Sequence, residues 1–158
     1  MSRISEEEAL KLYDLSLTEL GNRAHKIKLE RHGRKVSFIK TYYLNFTNIC
    51  KYACTYCGFR RSKKDKDAYV LTLSQFEEKL KRAPEQLTEV WISSGLNKDL
   101  PFHYYTEILK GIKNLLPKVQ IKAFTAVEID FFSKLYGMSY EQVLSKLISA
   151  GLDRIPGG

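Results

Sequence analysis

The most informative stretch of this sequence is Cys50-Lys51-Tyr52-Ala53-Cys54-Thr55-Tyr56-Cys57, which holds all three cysteines of the chain in the spacing C-x3-C-x2-C. A disulfide framework needs an even number of cysteines, and a structural zinc ion usually takes four protein ligands. Three thiolates instead match three corners of a 4Fe–4S cluster, which leaves the fourth iron open to a small molecule. The pattern therefore predicts Cys50, Cys54 and Cys57 as metal ligands.

Two other interpretations of the cysteines stay open. Three buried cysteines can act as small apolar residues, although the polar and flexible neighbours Lys51, Thr55 and Gly58 argue against this. A zinc site of three cysteines and one histidine is the other alternative. Its candidate ligands are distant in the sequence, and they are His25, His32 and His103.

Composition and charge narrow the class of protein. The 158 residues are 44% hydrophobic and carry a net charge of +8, which indicates a globular protein with an anionic ligand or a solvated basic surface. The densest basic run is 60–66, where Arg60 and Arg61 could contact the carboxylates of a substrate. Nucleic acid is not supported, because no known nucleic-acid-binding motif is present. No apolar run approaches the ~18–20 residues that span a bilayer, so we expect a cytoplasmic protein without a membrane partner.

Apolar periodicity predicts an α/β fold. Two N-terminal helices are expected between Ser5 and Gly33, followed by strands that alternate with helices. The strands are predicted at 36–46, 88–94, 119–124 and 152–155, and the helices at 74–83 (capped by Ser74), at 103–115, and on either side of Gly137. Tyr140, Val143, Leu144, Leu147 and Ile148 are expected to form the buried face of the last helix. This alternation is typical of a parallel sheet with right-handed crossovers.

Unusual residues follow the carboxyl end of each predicted strand. They are the cysteine run, Ser93-Ser94-Gly95, the segment 125–128, and Pro156-Gly157-Gly158. Since the active site of a β/α barrel forms at this end, we expect these segments to share one site.

The cysteine spacing, with Tyr56 at the aromatic position, resembles the signature of the radical S-adenosylmethionine (SAM) superfamily. The resemblance implies a TIM-type (β/α) barrel, a 4Fe–4S cluster, and SAM bound at the open iron as the source of a 5′-deoxyadenosyl radical. It implies that Tyr56 packs beside the cluster or adenine, and that Ser94 and Gly95 hold the methionine end of SAM. Glu128 would accept hydrogen bonds from SAM. An ordinary turn glycine and a first-turn helix carboxylate remain the alternatives for Gly95 and Glu128.

Further stretches narrow the resemblance. Segments 45–50 and 57–61 resemble the group of futalosine-pathway and deazaflavin-cofactor enzymes, and 150–158 matches its fourth-strand motif. Segments 99–105 and 122–129 resemble the aminofutalosine synthases within that group. This implies addition of the adenosyl radical to 3-[(1-carboxyvinyl)oxy]benzoate in menaquinone biosynthesis, giving 6-amino-6-deoxyfutalosine. The alternatives are a dehypoxanthine futalosine cyclase or a deazaflavin-cofactor (F420/FO) synthase. Ser94 replaces a usual glycine, and Asn97 a common histidine.

The resemblance also sets expectations for domains and partners. Residues 1–34 are expected to form a helical segment, and residues 35–158 about the first four β/α units of a longer barrel. We expect such a piece to be unstable and inactive alone, since half a barrel leaves edge strands uncovered. A reducing electron donor such as flavodoxin or ferredoxin is the expected protein partner. A nucleic-acid-binding module with a structural metal is the alternative from another class.

Overall fold

Helices and strands alternate along the chain in a computed structural model, which describes residues 3–157. The chain divides into two compact units, with the division between Phe38 and Ile39. The first unit contains α1 (Glu6–Lys11), a 3-10 turn (Leu12–Asp14) and α2 (Leu17–His32). The second unit contains β1 (Thr41–Leu44), α3 (Leu73–Leu80), β2 (Glu89–Ile92), α4 (Phe102–Leu115), β3 (Gln120–Ala123), α5 (Ala126–Tyr136) and α6 (Tyr140–Ser149).

Capping boxes begin both helices of the first unit. The side chains of Ser5 and Ser16 accept hydrogen bonds from the amides of Glu8 and Glu19, and each glutamate bonds back to the amide of its serine. This reciprocal pattern satisfies free amides at a helix start. Gly33, at φ 58°, ends α2 in a conformation that favours glycine. The two predicted N-terminal helices are confirmed.

The three strands form one parallel sheet in the order β1-β2-β3. Leu44 pairs with Ile92, and Ile92 pairs with Ala123, each the last residue of its strand. The strands therefore end together at one edge, where the segments that follow them are placed side by side. The predicted parallel α/β architecture is confirmed.

Two predicted boundaries are wrong. Strand β1 begins at Thr41 rather than residue 36, because its neighbour β2 begins at Glu89, the partner of Thr41. Lys40, just before the strand, accepts a hydrogen bond from the Glu89 amide (3.1 Å) at the start of this ladder, whereas Val36 is 80% exposed. Helix α3 starts after Thr72 instead of Ser74, because Thr72 makes the capping box with Gln75.

The predicted fourth strand is also wrong, since it is reduced to a single parallel bridge between Lys122 and Arg154. The amide of Arg154 donates to the Ile121 carbonyl, and the Ala123 amide donates to the Arg154 carbonyl. The next bond of a parallel ladder would need the amide hydrogen of residue 156, which is a proline and has none.

Aromatic rings fill the core beneath the sheet. Tyr105 lies with its ring centroid 4.5 Å from that of Phe132 and 5.9 Å from that of Phe124, and all three side chains are buried. In α6, Val143 and Leu147 are buried as predicted, whereas Tyr140 and Ile148 are 53% and 61% exposed, so the predicted face was too wide. Within residues 3–157, no helix is both long and apolar enough to cross a membrane.

Candidate metal and ligand site at the cysteine loop

Residues 50–61 form a closed loop, the cysteine loop, whose two ends are joined by backbone hydrogen bonds. The amide of Cys50 donates to the Arg61 carbonyl (3.1 Å), and the amide of Arg61 donates to the Asn48 carbonyl (2.8 Å). Inside the loop, the Cys57 amide donates to the Cys54 carbonyl (3.1 Å) in a tight turn. Because its ends are joined, this short loop holds all three cysteines near the edge at which the strands end.

The three thiols are free of disulfides. Cys50 is half-buried, whereas Cys54 and Cys57 are exposed. Across residues 3–157 no three His, Cys, Asp or Glu side chains are gathered as ligands of one metal ion. The structure thus brings the cysteines into one loop without drawing their sulfurs into a cluster. As a donor set, three unpaired thiols in a single loop fit three corners of an iron–sulfur cluster.

Thr47 and Asn48 anchor the loop to the chain that follows it. The Asn48 side chain donates to the Asp67 carbonyl (2.8 Å) and accepts from the Tyr69 amide (2.8 Å). Thr47 donates from Oγ1 to the Tyr69 carbonyl (2.7 Å), and both anchoring side chains are buried. The sequence reasoning missed these residues. The available signal was a pair of polar residues between the apolar Phe46 and Ile49.

The end of β2 packs tightly against the entry to the cysteine loop. The Gly95 amide donates to the Thr47 carbonyl (2.9 Å), and a Cβ on Gly95 would collide with the carbonyl of Ile49. The Ser94 hydroxyl accepts from the Phe46 amide (2.9 Å). Gly95 is therefore required for a close approach between two parts of this chain's own backbone. SAM binding by Ser94 and Gly95 stays a prediction.

The two arginines differ in their surroundings. Arg61 donates from Nε to both carboxylate oxygens of Asp67 (2.8 and 2.7 Å) and from Nη1 to the carbonyls of Gly58 and Arg60. Arg61 therefore stabilises the loop. Because its guanidinium is already bonded to Asp67 and to loop carbonyls, it has less capacity to bind a substrate carboxylate. The Arg60 Nε is buried and has no hydrogen-bond partner among the described residues. Tyr56 is 91% exposed on the same loop.

Glu128 lies in the first turn of α5 and is 6% exposed. Its Oε2 accepts from the Thr125 amide (2.7 Å), and Thr125 Oγ1 accepts from the Glu128 amide (3.4 Å), which completes a capping box. Burial raises the pKa of Glu128 to about 7, although the hydrogen bonds from Thr125 oppose the rise. Glu128 thus occupies the first helical turn, as the alternative interpretation had it, and it also closes a capping box. Its role toward SAM stays a prediction.

Helix α5 also reaches the cysteine loop itself. A cavity of about 180 Å³ is lined by residues of the loop, the segment after β2, and α5: Lys51, Tyr52, Lys98, Phe131, Lys134 and Leu135. Asn97, beside this segment, is buried and accepts from the Asp99 amide (3.1 Å). It acts as a turn-forming residue in the place where a titratable side chain was expected from the resemblance.

A buried carboxylate on the sheet escaped the sequence reasoning. Glu89 of β2 lies 3.1 Å from Lys122 Nζ and 3.8 Å from Arg154 Nη1. The signal was the alternation of charged or aromatic residues with apolar ones inside the predicted strands, as in Glu89-Val90-Trp91-Ile92.

Known proteins resemble this chain over nearly all of its length. A sequence profile of the Radical SAM superfamily matches residues 44–158. The aminodeoxyfutalosine synthase of Streptomyces coelicolor is 40% identical, over 99% of this chain and 41% of that protein. The cyclic dehypoxanthine futalosine synthase of Halalkalibacterium halodurans is 36% identical, over 99% of this chain and 43% of that protein. The chain thus spans about two fifths of the length of these relatives.

A solved structure shows the same fold. The crystal structure of methylornithine synthase (PylB) matches 99% of this chain and 56% of its own chain with a TM-score of 0.61, at 15% sequence identity. Such a likeness extends to the architecture alone. Together with the parallel sheet, it agrees with the predicted partial TIM-type barrel.

Proposed function

Since this chain belongs to the radical SAM superfamily, we propose that it carries the cluster-binding and SAM-binding part of an aminodeoxyfutalosine synthase. The reaction is transfer of the 5′-deoxyadenosyl group of SAM to 3-[(1-carboxyvinyl)oxy]benzoate, with release of methionine and loss of one carboxylate as carbon dioxide, to give 6-amino-6-deoxyfutalosine. The observation that carries the proposal is the 40% identity with a synthase of that name over 99% of the chain.

The residues of the cysteine loop have separate proposed roles in this reaction. Cys50, Cys54 and Cys57 would hold a 4Fe–4S cluster, which when bound supplies the electron that splits the sulfonium bond of SAM. The hydrogen bonds at the loop ends keep the thiols at the edge where the strands end. Tyr56, exposed on that loop, is available to cover the cluster or the adenine ring. A low-potential donor such as flavodoxin or ferredoxin is the proposed reductant.

The segments after β2 and β3 would bind SAM. Ser94 and Gly95 hold the second strand end against the entry to the loop, which fixes the position of the backbone groups proposed to meet the methionine end. Glu128 is proposed to accept hydrogen bonds from the ribose hydroxyls or the SAM ammonium. With a pKa of about 7, it bears the charge that this role uses only at neutral pH and above.

The test is product formation by an anaerobically reconstituted protein that contains this part together with the remainder of the barrel, because the part alone is expected to be inactive. With SAM, a reductant and 3-[(1-carboxyvinyl)oxy]benzoate, we expect 6-amino-6-deoxyfutalosine by mass spectrometry, and a change in the reduced-state EPR signal when SAM is added. Cys54→Ala should lose iron, the EPR signal and product, whereas Lys64→Ala, an exposed change outside the cysteine loop, should keep them. SAM cleavage without this product would contradict the proposed reaction.

A second candidate is a cyclase, favoured by the 36% identity with a cyclic dehypoxanthine futalosine synthase. Supplying dehypoxanthine futalosine in place of the benzoate substrate distinguishes the two, because only a cyclase converts it. Metal analysis tests the alternative of a nucleic-acid-binding module: four irons and four sulfides per chain support an enzyme, and one zinc supports the module.

A further inference from the structure

The two faces of the sheet differ sharply in polarity. Side chains alternate between faces along a strand, and the fully buried Val90, Ile92 and Ile121 all occupy the face packed against the helices. The opposite face carries polar and aromatic residues from all three strands and from the bridging segment. This polar sheet face consists of Thr41, Tyr43, Glu89, Trp91, Gln120, Lys122 and Arg154.

The polar sheet face has one positive charge in excess. Glu89 is paired with two cations: its Oε1 lies 3.1 Å from Lys122 Nζ, and its Oε2 lies 3.8 Å from Arg154 Nη1. Thr41 adds a hydrogen bond to Oε1 (3.0 Å). The Glu89 side chain is 2% exposed, against 23% for Lys122 and 47% for Arg154. A molecule that approaches this face therefore meets cations whose single counter-ion is buried behind them.

Aromatic rings flank the accessible cation. Lys122 Nζ lies 3.9 Å from the centroid of the Trp91 ring, and the Tyr43 ring meets Trp91 edge-on at 5.7 Å. The Trp91 Nε1 is buried without a hydrogen-bond partner in the described part of the chain. The cation and the two aromatic rings together match a ring that bears a carboxylate.

We propose that the polar sheet face binds the aromatic carboxylate end of the substrate. The carboxylate pairs with Lys122 and Arg154 and so neutralises the second cation. The ring lies against Tyr43 and Trp91. The inference rests on the proposed function, whose benzoate substrate carries such a group. It assigns that group to the sheet face, whereas the cysteine loop and the segments after β2 and β3 serve SAM.

Binding of 3-fluorobenzoate to the protein, followed by fluorine NMR line broadening, tests the assignment without turnover. Benzoate should displace this probe, whereas benzamide, which lacks the charge, should compete at least about tenfold more weakly, since a charge-assisted hydrogen bond contributes roughly 1.5–3 kcal/mol. Trp91 is the single tryptophan of this 158-residue sequence, and its fluorescence should change with the same dissociation constant.

Substitutions locate the site. Lys122→Met, which keeps the length of the side chain but removes its charge, should weaken benzoate by about tenfold or more, and Lys122→Arg should restore most of the affinity. Arg154→Met should also weaken binding and serves if Lys122→Met fails to fold. Lys118→Met, an exposed change just before β3, should have no effect.

Two outcomes overturn the assignment: benzoate affinity unchanged in both Lys122→Met and Arg154→Met, or equal competition by benzoate and benzamide. They differ from failure of the proposed function, because this binding requires neither SAM nor iron. If the protein forms the product but does not bind benzoate at this face, only the assignment of the carboxylate site is contradicted. If the protein binds benzoate at this face but forms no 6-amino-6-deoxyfutalosine, only the proposed reaction is contradicted.

Discussion

Replacing Glu128 by glutamine should stabilise the protein at high pH and have little effect at low pH. Glutamine keeps an oxygen that accepts from the Thr125 amide, so the capping box survives. What it removes is a buried carboxyl group whose pKa is raised from 4.5 to about 7 by burial. Because the folded protein holds this proton more tightly than the unfolded chain, stability is highest at low pH and is lost as the pH rises through 7.

The magnitude follows from the same pKa. Each pKa unit corresponds to about 1.4 kcal/mol, so a rise from 4.5 to about 7 gives a loss approaching about 3 kcal/mol above pH 8. Urea unfolding of the wild type and Glu128→Gln between pH 5 and pH 9, as assay conditions, measures the free energy of unfolding at each pH. The free energy of unfolding of the variant should rise relative to that of the wild type as the pH increases, with most of the change between roughly pH 5 and 7, the interval between the unfolded and folded pKa values, and little further change above pH 8.

Glu19→Gln provides the matched control. Glu19 occupies the equivalent capping-box position of α2, but it is exposed, and hydrogen bonds from Ser16 lower its pKa. Its replacement should therefore give no gain in stability at high pH. A difference between wild type and Glu128→Gln that stays constant across the pH range would refute the reasoning, because it would show an ordinary pKa for Glu128.

Two further substitutions test how the loop is held. Gly95→Ala should destabilise the protein by roughly 1–3 kcal/mol in thermal or urea unfolding, because the added Cβ would collide with the Ile49 carbonyl. Gly58→Ala is the control and should be nearly neutral, because a Cβ there meets open space. Equal effects of the two substitutions would contradict the packing argument. Asn48→Ala removes two part-buried hydrogen bonds, to the Asp67 carbonyl and from the Tyr69 amide, and should cost about 1–2 kcal/mol. Limited proteolysis should then cut the segment 62–70 faster than in the wild type, and an unchanged cleavage rate would speak against the anchoring role.

The cysteine chemistry and much of the local structure could be predicted from the sequence, because both depend on residues close together in the chain. Three thiols in C-x3-C-x2-C define a ligand set whatever the fold. The serine and glutamate pairs that cap α1 and α2 act across three residues. Alternating strands and helices predicted the parallel sheet for the same reason.

Only the tertiary structure decided what the residues at the site contact. Gly95 meets the backbone of Ile49 across a gap of 46 positions, and Glu89 meets Lys122 and Arg154 from separate strand segments. The length of a strand likewise depends on where its neighbour begins, and the fourth strand stopped at a proline that lacks the next amide. Contacts of this kind arise from the packing of distant segments, and local sequence patterns carry no direct record of that packing.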